Sequence, residues 1–383
     1  MKKKKKLLIA TDNFLPRWDG VARFLTEIIP TLSKKYEITV LAPNFGPLIY
    51  DGYKLVRIEQ SRFGLGDYTA PKLAFKTIRR EIKKNDIIFT QTIGPIGLST
   101  IIFAKQKNKK IATYLHSLEW ELVPMSTNNL ILRKFLYPLT KIITKYAYNK
   151  SDLIITPSNF IADALTWRGI HTKKTVATLG VDCDVFKPAF ERSKEELEEI
   201  DAIKQELNLQ NSYVIGNHGR LANEKDLITI LRAFNRIKKR HKNAKLLIIG
   251  DGVESIKQKF QKTKDCILIS AKNNVQIYLN LIDIYVTSSL TETTSLTTLE
   301  AMASGLPVIS TPVGFIKEYI KHKQNGLFFK QKDSYDLYKK INILKNDSKL
   351  SLRLGLNARK LIVREFKWEN TAKKIDESLS SLH

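Results

Sequence analysis

Short apolar runs alternate with amphipathic stretches through the first half of the chain. The runs predict strands over residues 7–10, 38–42, 55–58, 86–90, 111–115, 153–156 and 175–179. Between them, apolar residues recur every three or four positions and predict helices over 21–35, 74–83, 129–149 and 159–168, with a kink or break at Pro138. Strands that alternate with helices predict a parallel, doubly wound α/β sheet.

The second half repeats this pattern after a charged, irregular stretch over 188–201, which is predicted to be a linker with a surface helix. Strands are predicted over 213–217, 245–249, 267–269, 284–286 and 308–310, and helices over 226–240, 254–262 and 350–383. Two open α/β units joined near residue 185 predict a ligand cleft at the carboxyl ends of both sheets. The predicted domains are 1–185 and 186–365, followed by a C-terminal helix over 366–383 that packs back on the first domain.

Composition agrees with two domains and adds one unusual property. The chain has 383 residues, more than one ordinary core accommodates, and its 43% hydrophobic and 27% charged residues are typical of a globular protein. The formal net charge of +26 favours anionic partners, which include nucleic acids, phosphorylated small molecules and anionic membranes. The two cysteines, Cys183 and Cys266, form no CxxC pair, which favours a reducing compartment.

The N-terminus carries lysines over 2–6 before a short apolar run at 7–10. This run is shorter than the roughly 7–15 apolar residues of a secretory signal, so we expect a charged lead-in to the first strand. The long uncharged window at 87–104 is interrupted by Gly94, Pro95 and Gly97, which predicts a strand, a turn and a helix. We therefore expect no transmembrane segment and a cytoplasmic protein.

The segment 292–300 is the most informative chemical feature. Glu292 and Glu300 flank seven uncharged residues that follow an apolar strand. A helix N-terminus between the two carboxylates would offer N–H groups to a phosphate, while the carboxylates would accept hydrogen bonds from a sugar and a ribose. The pattern indicates a nucleotide-sugar site, although Thr297 with Glu300 also matches a capping box.

A second segment, 219–225, follows a strand and opens a helix. Gly219 leaves room for a bound group, and Arg220 and Lys225 are suited to bind a diphosphate, one as a planar fork and one as a point charge. The alternative is that both are solvated basic residues in a chain with 64 lysines and arginines.

With these segments in order, the chain resembles the retaining glycosyltransferases of the GT4 family, which have the GT-B fold of two Rossmann-like domains facing each other across a cleft. The resemblance covers nearly the whole chain and rests on six segments: 16–20, His116, 180–182 with Phe186 and Pro188, 219–220 with 224–225, 250–252, and 292–307. Asp182 and Asp184 alone would match a metal–diphosphate motif, but here they match the family's inter-domain segment.

The resemblance implies that the first domain binds the acceptor and the second binds the nucleotide sugar. It implies catalytic roles for Glu292, His116, Arg220 and Lys225. Binding of the nucleotide sugar is implied for a further group of residues, namely Gly20, Gly219, Ser295, Leu296 and Glu300. Arg220 and Lys225 replace a metal ion in the family, so neither a cofactor nor a metal is expected.

Two positions depart from the family pattern. Asp19 precedes Gly20 where relatives usually have adjacent glycines, and Thr293-Thr294-Ser295 replaces a common Gly-Phe-Gly. The second departure lies where we expect the choice of sugar to be set, so the sugar stays open.

The expected reaction is retaining transfer of a hexose from a UDP- or GDP-linked sugar to a hydroxyl of a lipid or glycan. Lys134, Lys141 and Lys145 share a helix face near apolar residues, which favours peripheral docking on an anionic membrane, such as the inner face of the cell membrane; a solvated helix face is the alternative. A nucleotide-sugar 2-epimerase on the same fold is the second hypothesis. A nucleic-acid-binding protein is the third, and no specific nucleic acid is expected because no such motif occurs.

Overall fold

The computed structural model describes residues 4–65, 68–127, 129–272 and 274–382. The first residues of the lysine-rich lead-in, 1–3, lie outside these ranges. The chain forms two compact units, one of Met1–Leu179 with Trp368–His383 and one of Gly180–Lys367.

The first unit is built on a seven-stranded parallel sheet in the order β3-β2-β1-β6-β7-β8-β9, with a separate antiparallel β4–β5 hairpin. Its elements are β1 (Lys5–Ala10), α1 (Gly20–Leu32), β2 (Tyr36–Pro43), β3 (Lys54–Ile58), β4 (Gln60–Leu65), β5 (Tyr68–Pro71), α2 (Phe75–Lys84), β6 (Ile87–Thr90), α3 (Pro95–Gln106), β7 (Lys110–Tyr114), α4 (Glu119–Met125), α5 (Leu130–Lys150), β8 (Leu153–Thr156), α6 (Asn159–Trp167) and β9 (Lys174–Val176). The central strands are buried on both faces, which explains their continuous apolar runs.

Helix α5 continues through Pro138, so of the kink or break that the sequence suggested there, the break does not occur. A proline inside a helix removes one backbone hydrogen bond, and the bonds on either side can hold the remaining turns in place. Thr140 Oγ1 also donates to the Leu136 carbonyl at 2.7 Å, directly across the proline. Asn129 caps the first turn by accepting from Ile131 N at 3.0 Å.

The second unit contains a six-stranded parallel sheet in the order β12-β11-β10-β13-β14-β15. Its elements are α7 (Lys194–Glu206), β10 (Tyr213–His218), α8 (Leu227–Arg240), β11 (Ala244–Ile249), α9 (Glu254–Gln261), β12 (Cys266–Ile269), α10 (Val275–Leu279), β13 (Ile284–Thr287), α11 (Leu296–Ala303), β14 (Val308–Ser310), α12 (Ile316–Tyr319), β15 (Leu327–Phe328), α13 (Ser334–Asn346) and α14 (Ser348–Glu365), with 3-10 turns at Ala189–Glu191 and Asn223–Lys225. Apolar cores cover both faces of this sheet.

The last helix, α15 (Trp368–Ser380), belongs to the first unit and packs against α1. Thr371 Oγ1 donates to the Thr178 carbonyl at 2.7 Å, and Asp376 pairs with Lys35 at the end of α1. The predicted helix over 350–383 is therefore two helices: α14 ends at Glu365, and α15 begins at Trp368. Within the described ranges, no helix has the length and apolar character needed to cross a bilayer.

Candidate functional site

A polar pocket lies at the carboxyl edge of the second sheet, where β10 and β13 end side by side. Strand β10 pairs with β11 on one side and with β13 on the other, so the strand order of the sheet reverses direction between β10 and β13. Such switch points are where open α/β sheets bind ligands. The pocket is lined by Asn217, His218, Gly219, Arg220, Lys225, Thr287, Ser288, Ser289, Glu292 and Thr297.

Gly219 opens the first loop of this pocket in a conformation that favours glycine, with φ of +130°. A Cβ on Gly219 would lie 3.3 Å from Thr297 Cγ2, and a Cβ on Gly250 would lie only 1.9 Å from the Gly219 carbonyl oxygen. The two glycines therefore allow the loops after β10 and β11 to approach each other closely.

The two basic residues of this loop are each paired with a carboxylate. Arg220 Nη2 donates to Glu224 Oε1, and Glu224 is buried. Lys225 Nζ donates to Glu292 Oε1 at 2.6 Å. Ser288 Oγ donates to the Lys225 carbonyl at 2.8 Å, so the loop after β13 fixes the backbone that carries both cations.

Glu292 lies in the loop between β13 and α11. Ser289 Oγ donates to Glu292 Oε1 at 2.9 Å. Further along, Phe315 N donates to the Thr293 carbonyl at 3.0 Å and the Tyr319 hydroxyl donates to the Thr294 carbonyl at 2.7 Å. The carboxylate is thus held by its own loop, which in turn is braced by the segment before and within α12.

Helix α11 begins without a side-chain cap. Ser295 precedes it in the left-handed region, with φ of +68°, and its own side chain makes no capping hydrogen bond to the first turn. The Ser295 hydroxyl instead shares a hydrogen bond with Thr298 Oγ1 at 2.8 Å. The N–H groups at the start of α11, at Ser295 and Leu296, are consequently suited to an anion.

Glu300 is buried in α11 and lies 2.6 Å from His218, measured from Oε2 to Nε2. The N-cap is Ser295, so Thr297 lies inside the helix and does not begin a capping box with Glu300. His218 ends β10 directly before Gly219 and holds the Glu300 carboxylate in place. Sequence reasoning missed His218, although it adjoins Gly219, and gave no role to Glu224 within the 224–225 segment.

His116 follows β7 in the first unit, at the carboxyl edge of that sheet. Its Nε2 lies 3.0 Å from Gln91 Oε1, and its ring lies against Phe24 and Tyr114. Burial lowers the pKa of His116 to about 3. The imidazole is therefore neutral near pH 7 and can take part in hydrogen bonds but not as a cation.

Gly20 is the first residue of α1, and the preceding Asp19 caps that helix. Asp19 Oδ1 accepts from Val21 N at 2.9 Å and from Ala22 N at 2.8 Å. A carboxylate of the protein therefore occupies the start of α1, in contrast to the uncapped start of α11.

Helix α3 of the same unit has a similar arrangement that the sequence did not reveal. Asp12 is buried after β1 and accepts from Ile96 N at 2.8 Å and Gly97 N at 3.1 Å. Burial raises the pKa of Asp12 above its ordinary value.

The Asp182–Asp184 segment forms a turn. Asp182 Oδ1 accepts from Asp184 N at 2.9 Å and Val185 N at 3.0 Å. Across the described ranges, no cluster of three or more His, Cys, Asp or Glu side chains is arranged to hold a metal ion.

Comparison with known proteins agrees with this fold. The family model "Glycosyltransferase Family 4" matches residues 18–185, and the model "Glycosyl transferases group 1" matches residues 199–361. A crystal structure of Alr3699/HepE from Anabaena in complex with UDP has a TM-score of 0.76 at 17% identity, covering 98% of this chain and 100% of that one. This likeness shows the GT-B fold of two Rossmann-like domains.

Two curated relatives share the name alpha-monoglucosyldiacylglycerol synthase. The protein from Streptococcus pneumoniae is 24% identical over 334 residues, 83% of this chain and 74% of the relative. The protein from Acholeplasma laidlawii is 26% identical over 226 residues, 57% of this chain and 55% of the relative, so the match spans little more than half of that second relative. Together with the two family models, these matches show that the chain belongs to the group 1 glycosyltransferases of family 4, and that it is a glycosyltransferase.

Proposed function

We propose that the protein transfers a hexose, with retention at the anomeric carbon, from a nucleoside-diphosphate sugar to a hydroxyl of a membrane lipid. The observation that carries the proposal is the pocket at the switch point of the second sheet. It combines Arg220 and Lys225 with Glu292, next to the uncapped start of α11 and the buried Glu300. Each of these groups has a partner on a nucleotide sugar.

The diphosphate is proposed to bind Arg220, Lys225 and the N–H groups of Ser295 and Leu296, next to Gly219. These groups would neutralise the charge that develops on the leaving phosphate, which removes the need for a metal ion. Glu292 is proposed to accept hydrogen bonds from the sugar hydroxyls. Glu300, positioned by His218, is proposed to accept from the ribose.

The first unit is proposed to bind the acceptor and to contribute His116 to the sugar and Gly20 to the diphosphate. A neutral His116 can hydrogen-bond a sugar hydroxyl without adding charge to the reacting centre. The acceptor proton is proposed to pass to the leaving phosphate on the same face of the sugar, which accounts for retention without a nucleophilic carboxylate.

UDP-glucose is the first sugar nucleotide to test. The Anabaena protein of the same fold has been solved with UDP-glucose. The names of both curated relatives describe synthesis of a glucosylated diacylglycerol, which supports a diacylglycerol-type acceptor.

Helix α5 supports docking on an anionic membrane. Ile131, Phe135 and Ile142 are 82%, 64% and 68% exposed, which is unusual for large apolar side chains. The helix also carries five basic residues and no acidic one, namely Arg133, Lys134, Lys141, Lys145 and Lys150. We call the exposed apolar and basic side chains of α5 the α5 surface, and propose that it brings the active site to its lipid acceptor.

The assay is incubation of the protein with UDP-glucose or GDP-mannose and diacylglycerol in vesicles containing phosphatidylglycerol. We expect a glycolipid whose anomeric carbon has the same configuration as in the donor. The NMR signal of the anomeric proton measures this configuration. The same incubation without lipid tests the epimerase hypothesis, which predicts an epimerised nucleotide sugar. An inverted product would contradict retention, and an epimer with no glycolipid would contradict transfer.

The proposed membrane binding by the α5 surface can be tested by replacing Lys134, Lys141 and Lys145 with glutamine. Each lysine near an anionic surface contributes about 1 kcal/mol, so we expect partitioning onto vesicles with phosphatidylglycerol to fall roughly 100-fold. Co-sedimentation measures this. The matched control removes the same charge from exposed lysines of the second unit, Lys194, Lys349 and Lys360. Equal losses in both variants would assign binding to overall charge and contradict a role for α5.

A further inference from the structure

The residue proposed to bind the sugar and one of the residues proposed to bind the diphosphate form an ion pair with each other. Lys225 Nζ lies 2.6 Å from Glu292 Oε1, and the two side chains are only 26% and 11% exposed. Ser289 Oγ donates to the same oxygen, so Oε1 accepts two hydrogen bonds. Among the described residues, Oε2 accepts no hydrogen bond.

This geometry makes a diphosphate compete with the Glu292 carboxylate for Lys225. A diphosphate that approaches Lys225 meets the Glu292 carboxylate, which shares the ammonium group and repels the phosphate charge. At this low exposure the repulsion is only partly screened by water. A sugar on the diphosphate offsets this repulsion, because its hydroxyls can donate hydrogen bonds to the Glu292 carboxylate in place of Lys225. The ammonium group is then available to the diphosphate.

We infer that the Lys225–Glu292 ion pair determines specificity for the sugar-bearing nucleotide by weakening the binding of the free nucleoside diphosphate. The inference rests on the nucleotide-sugar site proposed above. It also has a consequence for turnover, because the free nucleoside diphosphate is the leaving product. Once the sugar has been transferred, Glu292 forms its ion pair with Lys225 again, and this promotes release of the nucleoside diphosphate.

The test is isothermal titration of UDP, GDP and UDP-glucose into the full-length wild type and into Glu292→Gln. Glutamine keeps the size of the side chain and can still bond to Ser289, but removes the charge. We expect the variant to bind the free diphosphate about tenfold more tightly, which corresponds to the net strength of one partly buried charged hydrogen bond. The additional affinity that UDP-glucose gains from its sugar should be lost.

Three further variants test whether the effect belongs to the pair. In Lys225→Met the diphosphate should bind more weakly than in the wild type, and adding Glu292→Gln to it should tighten diphosphate binding by less than Glu292→Gln does alone. Glu198→Gln removes one exposed carboxylate of the same unit, which pairs with Lys194, and should leave UDP affinity unchanged. Tightening in Glu198→Gln equal to that in Glu292→Gln would assign the effect to net charge and overturn the inference.

The outcomes separate the inference from the proposed function. If the wild type binds a diphosphate and Glu292→Gln binds it no more tightly, the inference is wrong and the proposed site stands. If neither protein binds any of the three nucleotides, the proposed nucleotide-sugar site itself is wrong, and the inference fails with it. A diphosphate bound only by Glu292→Gln would support both.

Discussion

Replacing Arg220 with alanine is expected to lower kcat/KM for sugar transfer by about 10²–10³. Arg220 is held at the pocket by Glu224, so its guanidinium is oriented before the substrate arrives. A preorganised cation stabilises the developing charge of the leaving diphosphate without first having to reorganise, and water cannot replace it. Initial rates of glycolipid formation at several concentrations of the sugar nucleotide measure the loss.

Two controls sharpen this prediction. Arg220→Lys keeps the charge but loses the planar fork, so we expect it to recover only part of the activity. Arg353→Ala removes an exposed arginine from α14 of the same unit and should leave the rate unchanged. The circular dichroism spectra of all three variants should match the wild type. Full activity in Arg220→Ala would contradict the assignment of the diphosphate site.

Replacing Gly314 with alanine is expected to lower the free energy of unfolding of the second unit by about 3 kcal/mol or more. A Cβ at this position would lie 1.6 Å from the Glu292 carbonyl oxygen, and the φ of Gly314 is +50°. Either the loop with Glu292 or the segment before α12 must move. Because this contact braces the Glu292 loop, glycosyl transfer should fall as well.

Gly52→Ala is the matched control. Gly52 also has a positive φ, +81°, but a Cβ there would meet no heavy atom within 4 Å. Only the backbone cost remains, about 1–2 kcal/mol. Urea unfolding can be followed by circular dichroism for the whole chain and by tryptophan fluorescence for the first unit, which contains all four tryptophans. Equal losses in the two variants would contradict the steric argument.

Hydrophobic patterning predicted the doubly wound units because buried parallel strands are apolar on both faces and stand out from amphipathic helices. The β4–β5 hairpin and α13 were missed. The hairpin is short and carries exposed residues such as Phe63, so burial leaves little pattern in its sequence. The helix predicted over 129–149 is present, but the sequence could not show whether Pro138 breaks it, because that depends on the turns on either side.

Motif spacing found several of the residues that the structure brings to one pocket, namely Gly219, Arg220, Lys225 and Glu292. Spacing can find these residues because each lies just after a predicted strand or just before a predicted helix. Such positions can be recognised from the sequence alone. The pairings between charged residues in this pocket were not found. Glu224 adjoins Lys225, but its pairing with Arg220 depends on the turn that Asn223–Lys225 forms.

The sequence by itself thus determined the α/β class, the family and the main candidate residues, since these follow from periodicity and from the order of short motifs. Only the tertiary structure decided which charges meet. His218 and Glu300 lie 82 positions apart, and Lys225 and Glu292 lie 67 apart. Side chains so distant along the chain come together only when β10 and β13 pair and bring their carboxyl ends to one edge of the sheet. The ion pair that we infer sets specificity is therefore a property of the folded sheet.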